Sequence, residues 1–458
     1  MSLPAYRAYR ESGVPWLGRV PAGWGVRRLR FLADIRPSGV DKHSLDGELP
    51  VRLCNYVDVY KNDRITDALA FLEATATPAE IERFALRAGD VLITKDSETP
   101  DDIAAAALVE PSAAGVVCGY HLALLRPVPA ALCGPFLFWA FKAPETLAQC
   151  SVRAQGITRF GLSTGAIGDV WLPLPPPAEQ RAIAAFLDRE CGKIDALVAE
   201  QERLIALLKE KRQAVISHAV TKGLDPTAPM KDSGVPWIGQ VPAHWEVRKL
   251  RSIAKLETGH TPSRQHPEYW IEEDCVIPWF TLADVSFLRD DRNVLIHETS
   301  QRISQVGMDH SAARLLPAGT VILSRTASVG LSGIMARPMA VSQDFAAWIC
   351  GPEISPHYLL LCLRAMKPEF RRLMMGSTHQ TIYMPDIEAF RVPVPPSREQ
   401  EDIATSVERE VCALDTLTTE AERAIALLKE RRAALISAAV TGKIDVRGLV
   451  PAEAAKAA

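Results

Sequence analysis

Apolar residues recur with alternating spacings of four and three in two long segments of the chain, near 187–219 and 407–439. A heptad pattern held over about four heptads predicts a helix that packs in a coiled coil. A helix of about 40 residues is up to roughly 60 Å long. We call each series of heptad-spaced positions a row. The apolar members of the two rows are Leu187, Ile194, Val198, Ile205, Leu208 and Val215 in the first segment, and Val407, Val411, Leu414, Ile425, Leu428 and Leu435 in the second.

Two arrangements fit these rows. Each helix could pack on its own globular domain, or the two helices could pack against one another. Because both helices have the same row in the same place, pairing is favoured, and two-fold symmetry would make the pair antiparallel. Arg212 and Arg432 occupy matching positions in the rows, where they either set the register of the helices or anchor another subunit.

Short β-type runs occupy the rest of each half. They cover 90–94 and 114–125 in the first half, and 275–282 and 320–324 in the second. Glycine and proline residues between such runs predict a mixed α+β domain. Pro278 lies inside its run and predicts an edge strand or a broken strand, because proline cannot donate a hydrogen bond to the ladder.

The same framework is present twice in the chain. Residues 12–35 and 233–256 are identical at 15 of 24 positions, and residues 200–221 and 420–441 at 16 of 22. The segments between these blocks differ strongly. Two similar halves are expected to pack about a pseudo-two-fold axis, and the joint between the halves predicts that the two chain termini lie close together.

Proline-rich segments, LPLPPP at 172–177 and VPVPP at 392–396, precede the two helices, which are predicted to begin at Ala178 and Arg398. The predicted organisation is a first mixed domain (1–177), a central helical spacer (178–221), a second mixed domain (222–397), a C-terminal helical spacer (398–446) and a flexible tail (447–458).

Composition narrows the class of protein. The chain has 458 residues, is 48% hydrophobic and carries a net charge of −3, so binding to nucleic acid would need local basic patches. Its start lacks the apolar segment of a secretory signal, and no apolar run reaches the roughly 18 residues of a membrane span. The nine cysteines include no CxxC pair, which favours reduced thiols and a cytoplasmic location.

The framework resembles the specificity subunit of type I restriction-modification systems. The resemblance rests on SGVPWLGRVPAGW and its repeat SGVPWIGQVPAHW, on LPLPPPAEQRAI and VPVPPSREQEDI, and on the helix endings LLKEKRQAVISHAVTKGLD and LLKERRAALISAAVTGKID. In the second half, GHTPSRQHPEYW also resembles the first segment of a target recognition domain. The first half has no clear copy of GHTPSR, so its corresponding loop departs from the pattern.

The resemblance implies a fold of two pseudo-two-fold-related mixed α/β target recognition domains separated by a long antiparallel two-helix coiled coil. It implies that the domains read the two halves of a split sequence in double-stranded DNA, with a set gap. The implied partners are two methyltransferase (modification) subunits and restriction subunits, and no membrane. This chain would need no cofactor, since S-adenosylmethionine belongs to the methyltransferase and ATP and Mg to the restriction subunit.

Residue chemistry and position suggest which side chains contact DNA. Arginine pairs with guanine, and asparagine or glutamine with adenine. Such residues lie at the ends of predicted strands and in the GITRFG and GSTHQTIY loops, which occupy the same position in the two halves of the chain. Gln343 is predicted to match His121. The candidates are Lys95, His121, Thr158 and Arg159 in the first half, Arg325, Thr326, Gln343, His379, Gln380 and Tyr383 in the second, and Thr261, Ser263 and Arg264 as phosphate contacts.

Structural roles compete with these assignments. A lone arginine or lysine at a strand end is commonly a solvated surface charge, and Tyr383 and His121 could be core residues. The sequence contains no GxxxxGK[ST] phosphate loop, no [DN]PP[YF] methylation motif and no HExxH metal motif. A non-catalytic DNA-binding subunit is therefore favoured over a self-contained DNA enzyme. A coiled-coil scaffold that spaces two protein-binding domains is the alternative.

Overall fold

The computed structural model describes residues 4–113, 115–375 and 380–449. Its chain divides into two compact units, the first formed by Met1–Gln201 with Arg423–Ala458 and the second by Glu202–Glu422. Each unit therefore contains one of the repeated mixed domains, the first part of one long helix and the last part of the other.

In the first half, short strands alternate with short helices before one long helix. The strands are β1 (Tyr9–Glu11), β2 (Arg19–Pro21), β3 (Gly25–Arg28), β4 (Ala33–Pro37), β5 (Leu49–Cys54), β6 (Arg64–Ile65), β7 (Leu72–Ala76), β8 (Val91–Thr94), β9 (Asp96–Ser97), β10 (Ala106–Val109), β11 (Val117–Cys118), β12 (Leu122–Pro127), β13 (Phe160–Gly161) and β14 (Trp171–Leu174). The helices are α1 (Tyr56–Lys61), α2 (Pro78–Phe84), α3 (Gly134–Lys142), α4 (Pro144–Ser151), α5 (Thr164–Gly168) and α6 (Pro177–Lys222).

The second half follows the same order. Its strands are β15 (Met230–Asp232), β16 (Gln240–Pro242), β17 (Glu246–Lys249), β18 (Ala254–Thr258), β19 (Ile277–Phe280), β20 (Leu295–Ile296), β21 (Gln301–Ile303), β22 (Val321–Ser324), β23 (Ser332–Met335), β24 (Ala340–Val341), β25 (Phe345–Cys350) and β26 (Arg391–Val394). Its helices are α7 (Gln305–Asp309), α8 (Pro356–Ala365), α9 (Lys367–Leu373), α10 (Met384–Glu388) and α11 (Ser397–Val440). A 3₁₀ segment, Val285–Asp291, precedes β20.

Both halves share one sheet topology. The first contains a five-stranded sheet ordered β4-β12-β8-β10-β6 and a three-stranded sheet ordered β11-β5-β7. The second contains β18-β25-β22-β23-β20 and β24-β19-β21, which are the corresponding strands in the same order. The mixed α/β prediction is confirmed, and the repetition seen in the sequence framework extends to the variable segments between the repeated blocks.

The central strands β8 and β22 agree with the predicted runs at 90–94 and 320–324, and both are buried on two faces. Val91 and Ile93 join a core shared with α3, while Leu92 points to a second core against the three-stranded sheet. Strand alternation explains this split, since neighbouring side chains point to opposite faces. The loops that follow these strands are therefore held at the edge of a rigid, doubly covered sheet.

Two sequence predictions about strands are wrong. The run at 114–125 is not one strand, because a turn separates β11 from β12. Pro278 does not lie on an edge, since β19 is the middle strand between β21 and β24. The proline is accommodated there because the ladder to β24 covers only Trp279 and Phe280, so Pro278 has no hydrogen bond to donate on that side.

The long helices α6 and α11 begin one residue before their predicted starts. The predicted C-terminal spacer reaches residue 446, but α11 ends at Val440 and a turn follows. All twelve apolar row residues are buried or half-buried. In the first unit, Leu187 of α6 and Ile436 of α11 share one core, and in the second unit Ile216 of α6 shares a core with Val407 of α11.

A glutamine near the start of each long helix attaches that helix to its domain. Gln180 accepts a hydrogen bond from the backbone N–H of Cys133 at 2.9 Å, and Gln400 accepts one from Ser355 at 2.9 Å. Each glutamine also donates to two backbone carbonyls of its own unit. Because both glutamines are fully buried and satisfied, the helix starts are rigidly placed on the sheets.

Residues near the two ends of the chain lie together in the first unit, as predicted. The backbone N–H of Asp445 donates to the carbonyl of Pro4 at 2.7 Å, and the Tyr9 hydroxyl donates to the carbonyl of Lys443 at 3.4 Å. Across the three described ranges, no helix has both the length and the apolar character needed to cross a bilayer.

Candidate nucleic-acid interface

Three separate segments of the first unit meet just beyond the end of β8. The backbone N–H of Lys95 donates to the carbonyl of His121 at 3.0 Å, and the backbone N–H of Leu162 donates to the carbonyl of Lys95 at 2.8 Å. The strand end is thus bracketed by the loop before β12 and by the GITRFG loop. We call the side chains at this point, from residues 95–96, 120–121 and 158–159, the first loop cluster.

The side chains of the first loop cluster interact directly. Nδ1 of His121 lies 2.6 Å from Oδ2 of Asp96 and 3.3 Å from Nη2 of Arg159, while Nζ of Lys95 lies 4.9 Å from the centroid of the Tyr120 ring. Because a carboxylate can only accept, Nδ1–H donates to Asp96, and Nδ1 cannot at the same time accept a hydrogen bond from Arg159. The ring nitrogen Nε2 of His121 then remains as its second hydrogen-bonding atom.

His121 adopts a left-handed backbone conformation, with φ of 72°. A non-glycine residue held there stores strain, which is common at binding sites. The side chain is half-buried and paired with Asp96, so it is not a core residue of the hydrophobic type. Thr158 and Arg159 are exposed on the neighbouring loop beside Ile157, whose exposed fraction is 95%.

Helix α1 adds two tyrosines that sequence reasoning missed. The rings of Tyr56 and Tyr60 stack with centroids 5.6 Å apart, and the Tyr60 hydroxyl donates to Asp102 at 2.8 Å, which raises the pKa of Tyr60. Burial, together with Asp102, raises the pKa of Tyr56, and Ser97 and Arg159 lower it. The hydroxyl hydrogen of Tyr60 is thus taken by Asp102, whereas Tyr56 is close enough to Arg159 and Asp96 of the first loop cluster for both to shift its pKa.

The second unit repeats the arrangement beyond the end of β22. The backbone N–H of Arg325 donates to the carbonyl of Asp344 at 2.9 Å, and the backbone N–H of Ile382 donates to the carbonyl of Arg325 at 2.9 Å. Nε of Arg325 donates to the carbonyl of Gln343 at 3.0 Å, and the Thr261 hydroxyl donates to Oε1 of Gln343 at 2.6 Å. These contacts define the second loop cluster, from residues 261, 325–326, 343–344 and 380–383.

Thr326, Gln380 and Tyr383 are the other predicted residues within this cluster. The backbone of Thr326 pairs with that of Thr381, and the carbonyl of Gln380 accepts from the N–H of Ala327 at 3.0 Å. The side chains of Gln343, Gln380 and Tyr383 are exposed, so Tyr383 is not a core residue. His379 lies outside the described residues.

The GHTPSR loop carries the candidate phosphate contacts. Ser263 and Arg264 are exposed, and the Arg264 guanidinium lies 4.2 Å from the ring centroid of Trp270. The indole N–H of Trp270 donates to the carbonyl of Ser263 at 3.1 Å. Stacking on an aromatic face leaves the edge of a guanidinium group able to donate hydrogen bonds to an anion.

Matching the two clusters corrects one predicted correspondence. The hydrogen bonds of Lys95 and Arg325 show that His121 occupies the position of Asp344, so Gln343 matches Tyr120 rather than His121. The error arose because the turn before β12 cannot be aligned by sequence alone. Asp96, Tyr120 and Asp344 were missed, although each lies within one residue of a predicted candidate.

Comparisons with known proteins point to one family. Residues 242–424 match the model of the type I restriction modification DNA specificity domain. The MjaIX specificity subunit of a type I restriction enzyme of Methanocaldococcus jannaschii is 28% identical over 170 residues, which cover 37% of this chain and 38% of that subunit. The MjaVIII specificity subunit of the same organism is 22% identical over 446 residues, which cover 94% and 95%.

A solved structure shares the fold. A chain from a study of complex assembly and conformational transition in a type I restriction-modification system superposes with a TM-score of 0.67 at 20% identity, over 94% of this chain and 99% of that one. The family model, the curated relatives and the solved structure all point to the specificity subunits of type I restriction-modification systems as the proteins that this chain resembles.

In the part of the chain that the structure describes, side chains that could bind a metal ion do not form a group. Among residues 4–113, 115–375 and 380–449, no three histidine, cysteine, aspartate or glutamate side chains are close enough to hold one. The two loop clusters instead combine cationic, amide, hydroxyl and aromatic groups at strand ends. Such a mixture can contact base edges and phosphates.

Proposed function

We propose that this chain is a specificity subunit that recognises a bipartite DNA target with a set gap on behalf of a type I restriction-modification complex. The observation that carries the proposal is the repeated topology, with different side chains at matched loop positions. The first loop cluster presents Lys95, His121 and Arg159, and the second presents Arg325, Gln343 and Gln380. Two domains of one fold with different reading side chains suit two different half-sites.

The chemistry of each cluster suggests its contacts. Arg325 donates through Nε to a backbone carbonyl, which directs the rest of its guanidinium and makes bidentate pairing with guanine geometrically favourable. Gln343 and Gln380 are exposed amides of the kind that pairs with adenine. Lys95, His121, Thr158, Arg159, Thr326, His379 and Tyr383 would complete base and backbone contacts, and Thr261, Ser263 and Arg264 would contact phosphate.

We infer that α6 and α11 form an antiparallel two-helix coiled coil that acts as the spacer between the two recognition domains. The helix parts that share a core in each unit support this pairing, since the start of one helix packs with the end of the other. Domain boundaries at 1–177, 178–221, 222–397 and 398–446, with a tail at 447–458, remain the proposed organisation. Two linked readers bind together only when their DNA sites match the spacing.

Exposed leucines on the long helices support docking of partner subunits. Leu197 and Leu427 in the first unit are 51% and 65% exposed, and Leu417 and Leu207 in the second are 48% and 54% exposed. Because these pairs occupy matching repeat positions, they offer two equivalent apolar contacts, which suits two modification subunits. In this proposal S-adenosylmethionine is bound by the methyltransferase, ATP and Mg by restriction subunits, and the chain itself is a non-catalytic cytoplasmic component.

The decisive experiment maps N6-methyladenine by single-molecule sequencing in a host that expresses this chain with its neighbouring methyltransferase, against a host that lacks only this chain. A split motif with one gap length, present only with the chain, is the expected result. Transplanting residues 36–170 from a relative should then change one half of the motif and leave the other. Absence of a split motif, with both proteins folded and associated, would favour a scaffold that spaces two protein-binding domains.

A further inference from the structure

Two arginines interrupt the apolar rows of the long helices. Arg212 on α6 and Arg432 on α11 occupy the same position in the repeated block, and their exposed side-chain fractions are 9% and 22%. A charged group removed from water this far is strongly disfavoured unless it is paired and hydrogen-bonded. Each arginine must therefore be paired with acceptor groups that compensate for its burial.

In the second unit, Arg212 joins the other long helix to the recognition domain. Its Nε lies 3.2 Å from Oδ1 of Asp415 on α11. Its Nη2 donates to the backbone carbonyl of Asp291 at 2.7 Å, and its Nη1 lies 3.5 Å from Oδ2 of the same residue. Asp291 adopts a left-handed backbone conformation, with φ of 57°, and its carboxylate also pairs with Lys367 at the start of α9. Burial lowers the pKa of the neighbouring Arg364 to about 10, so this cluster is well shielded from water.

In the first unit, Arg432 makes the equivalent connection. Its Nε donates to Oδ1 of Asp195 on α6 at 2.8 Å, and its Nη2 donates to Oδ2 of Asp63 at 3.2 Å. Asp63 lies just before β6, and its other carboxylate oxygen is 2.5 Å from Nζ of Lys142 at the end of α3. Each arginine thus bridges a carboxylate of the opposite long helix and an aspartate of its own recognition domain.

The sources of these carboxylates make the arrangement informative. Asp195 and Asp415 lie at matching positions of the two helices, as the arginines do. Asp63 and Asp291 come instead from the variable segments, where the two halves share little sequence. Asp63 lies directly before β6, and Asp291 ends the 3₁₀ segment that precedes the matched strand β20. Two unrelated loops supplying the same group to the same helix position indicate a requirement that is independent of which DNA sequence each domain reads.

We propose that Arg212 and Arg432 are positioning residues that set the orientation of each recognition domain on the helix pair, and through it the gap between the two half-sites. The inference rests on the proposed function. An ion pair of fixed geometry resists rotation of the domain about the helices better than apolar packing, because a small shift separates the charges. Around Arg212, whose partner Asp291 is also buried, such a shift leaves both charges buried without a partner. The orientation of the recognition domain at each end of the helix pair then decides whether both loop clusters can contact one DNA duplex.

The test measures gap selectivity in a plasmid library that carries both wild-type half-sites at the native gap and at gaps one and two base pairs shorter or longer. The chain is expressed with its methyltransferase, and N6-methyladenine is counted at each gap. For Arg432→Met and Asp63→Asn, we expect the ratio of native-gap to neighbouring-gap methylation to fall about tenfold, with both half-site sequences unchanged. Asp63→Asn removes only the domain's carboxylate charge, so it covers the case in which Arg432→Met fails to fold.

A charge exchange separates the two roles of the arginine. The double variant Arg432→Asp with Asp195→Arg restores an ion pair between the helices but turns a carboxylate toward Asp63. We expect its melting temperature to recover relative to Arg432→Asp alone, while gap selectivity stays low. Arg203→Met and Arg423→Met, exposed on the same helices, serve as matched controls and should keep the wild-type ratio.

The outcomes are distinguishable. Variants that melt earlier but keep the wild-type gap ratio would show that the bridges only stabilise the fold, and this would overturn the inference. A wild-type chain that directs no split motif would instead refute the proposed function, before the variants are compared.

Discussion

Substitution of Gly259 by alanine should disturb the second loop cluster because the added methyl group clashes with the neighbouring backbone. Gly259 follows β18 and precedes the GHTPSR loop residues His260 and Thr261. A Cβ atom placed on Gly259 would lie 1.7 Å from the carbonyl oxygen of Val341 and 2.8 Å from that of Ser342. Both neighbours are backbone atoms at the end of β24, so neither can move aside as a flexible side chain would.

The displacement can be sized from these distances. Ordinary C···O contacts are about 3.3 Å, so the two segments must separate by roughly 1.6 Å. That shift breaks the hydrogen bond from the N–H of His260 to Val341, now 3.2 Å, and removes Thr261 from its 2.6 Å bond to Gln343. Overpacking of this kind costs about 1–3 kcal/mol of folding free energy.

Two measurements check this prediction. Urea unfolding of Gly259→Ala should show the loss of stability, and methylation mapping with the partner methyltransferase should show weakened selection at one half-site only. Gly39→Ala is the matched control, since Gly39 follows β4, the strand that corresponds to β18, and a Cβ there meets nothing within 4 Å. A Gly259→Ala chain with wild-type stability and an unchanged motif would refute the steric argument.

Other predictions follow from burial and from the repeat. Arg212→Met should lower the free energy of unfolding by about 3–5 kcal/mol. Arg432→Met should lower it by at most about 1 kcal/mol, because its partners Asp63 and Asp195 are 44% and 52% exposed. Equal losses of the two variants in urea unfolding would contradict this. A thiol reagent at neutral pH should label Cys412 first, since it is exposed and the other cysteines are buried or half-buried; mass spectrometry that finds another site labelled faster would count against the structure. Joining the termini and opening the chain between residues 225 and 226 should preserve DNA binding, tested by electrophoretic mobility shift.

Hydrophobic spacing was sufficient to predict the long helices and the central strands. A heptad row and a short apolar run after a glycine turn are local signals, because each depends on neighbouring side chains facing a common core. For this reason the starts of α6 and α11 lie within one residue of their predicted positions, and β8 and β22 match their predicted runs. The exact end of α11 and the turn between β11 and β12 were not predicted, since helix ends and turns depend on contacts from elsewhere in the chain.

In the loop clusters, the sequence predicts single side chains but not the partners that they contact. Lys95 and Arg325 are predicted from sequence as cations at strand ends, and the fold places them at matched points. Their partners could not be inferred, because Asp96 meets His121, and Thr261 meets Gln343, only when segments far apart in sequence are brought together. The same holds for Pro278, whose place in the middle of a sheet depends on where the ladder to β24 begins.

By itself, the sequence of this chain determined that two copies of one framework exist, with two long helices and two variable mixed domains. These features follow from sequence repeats and local periodicity, which can be recognised without information about contacts between distant residues. Only the tertiary structure decided that the variable domains share one sheet order, and that Asp63 and Asp291 reach the arginines of the helices. Pairing of buried charges depends on three-dimensional proximity, and no spacing of residues along the chain encodes that proximity.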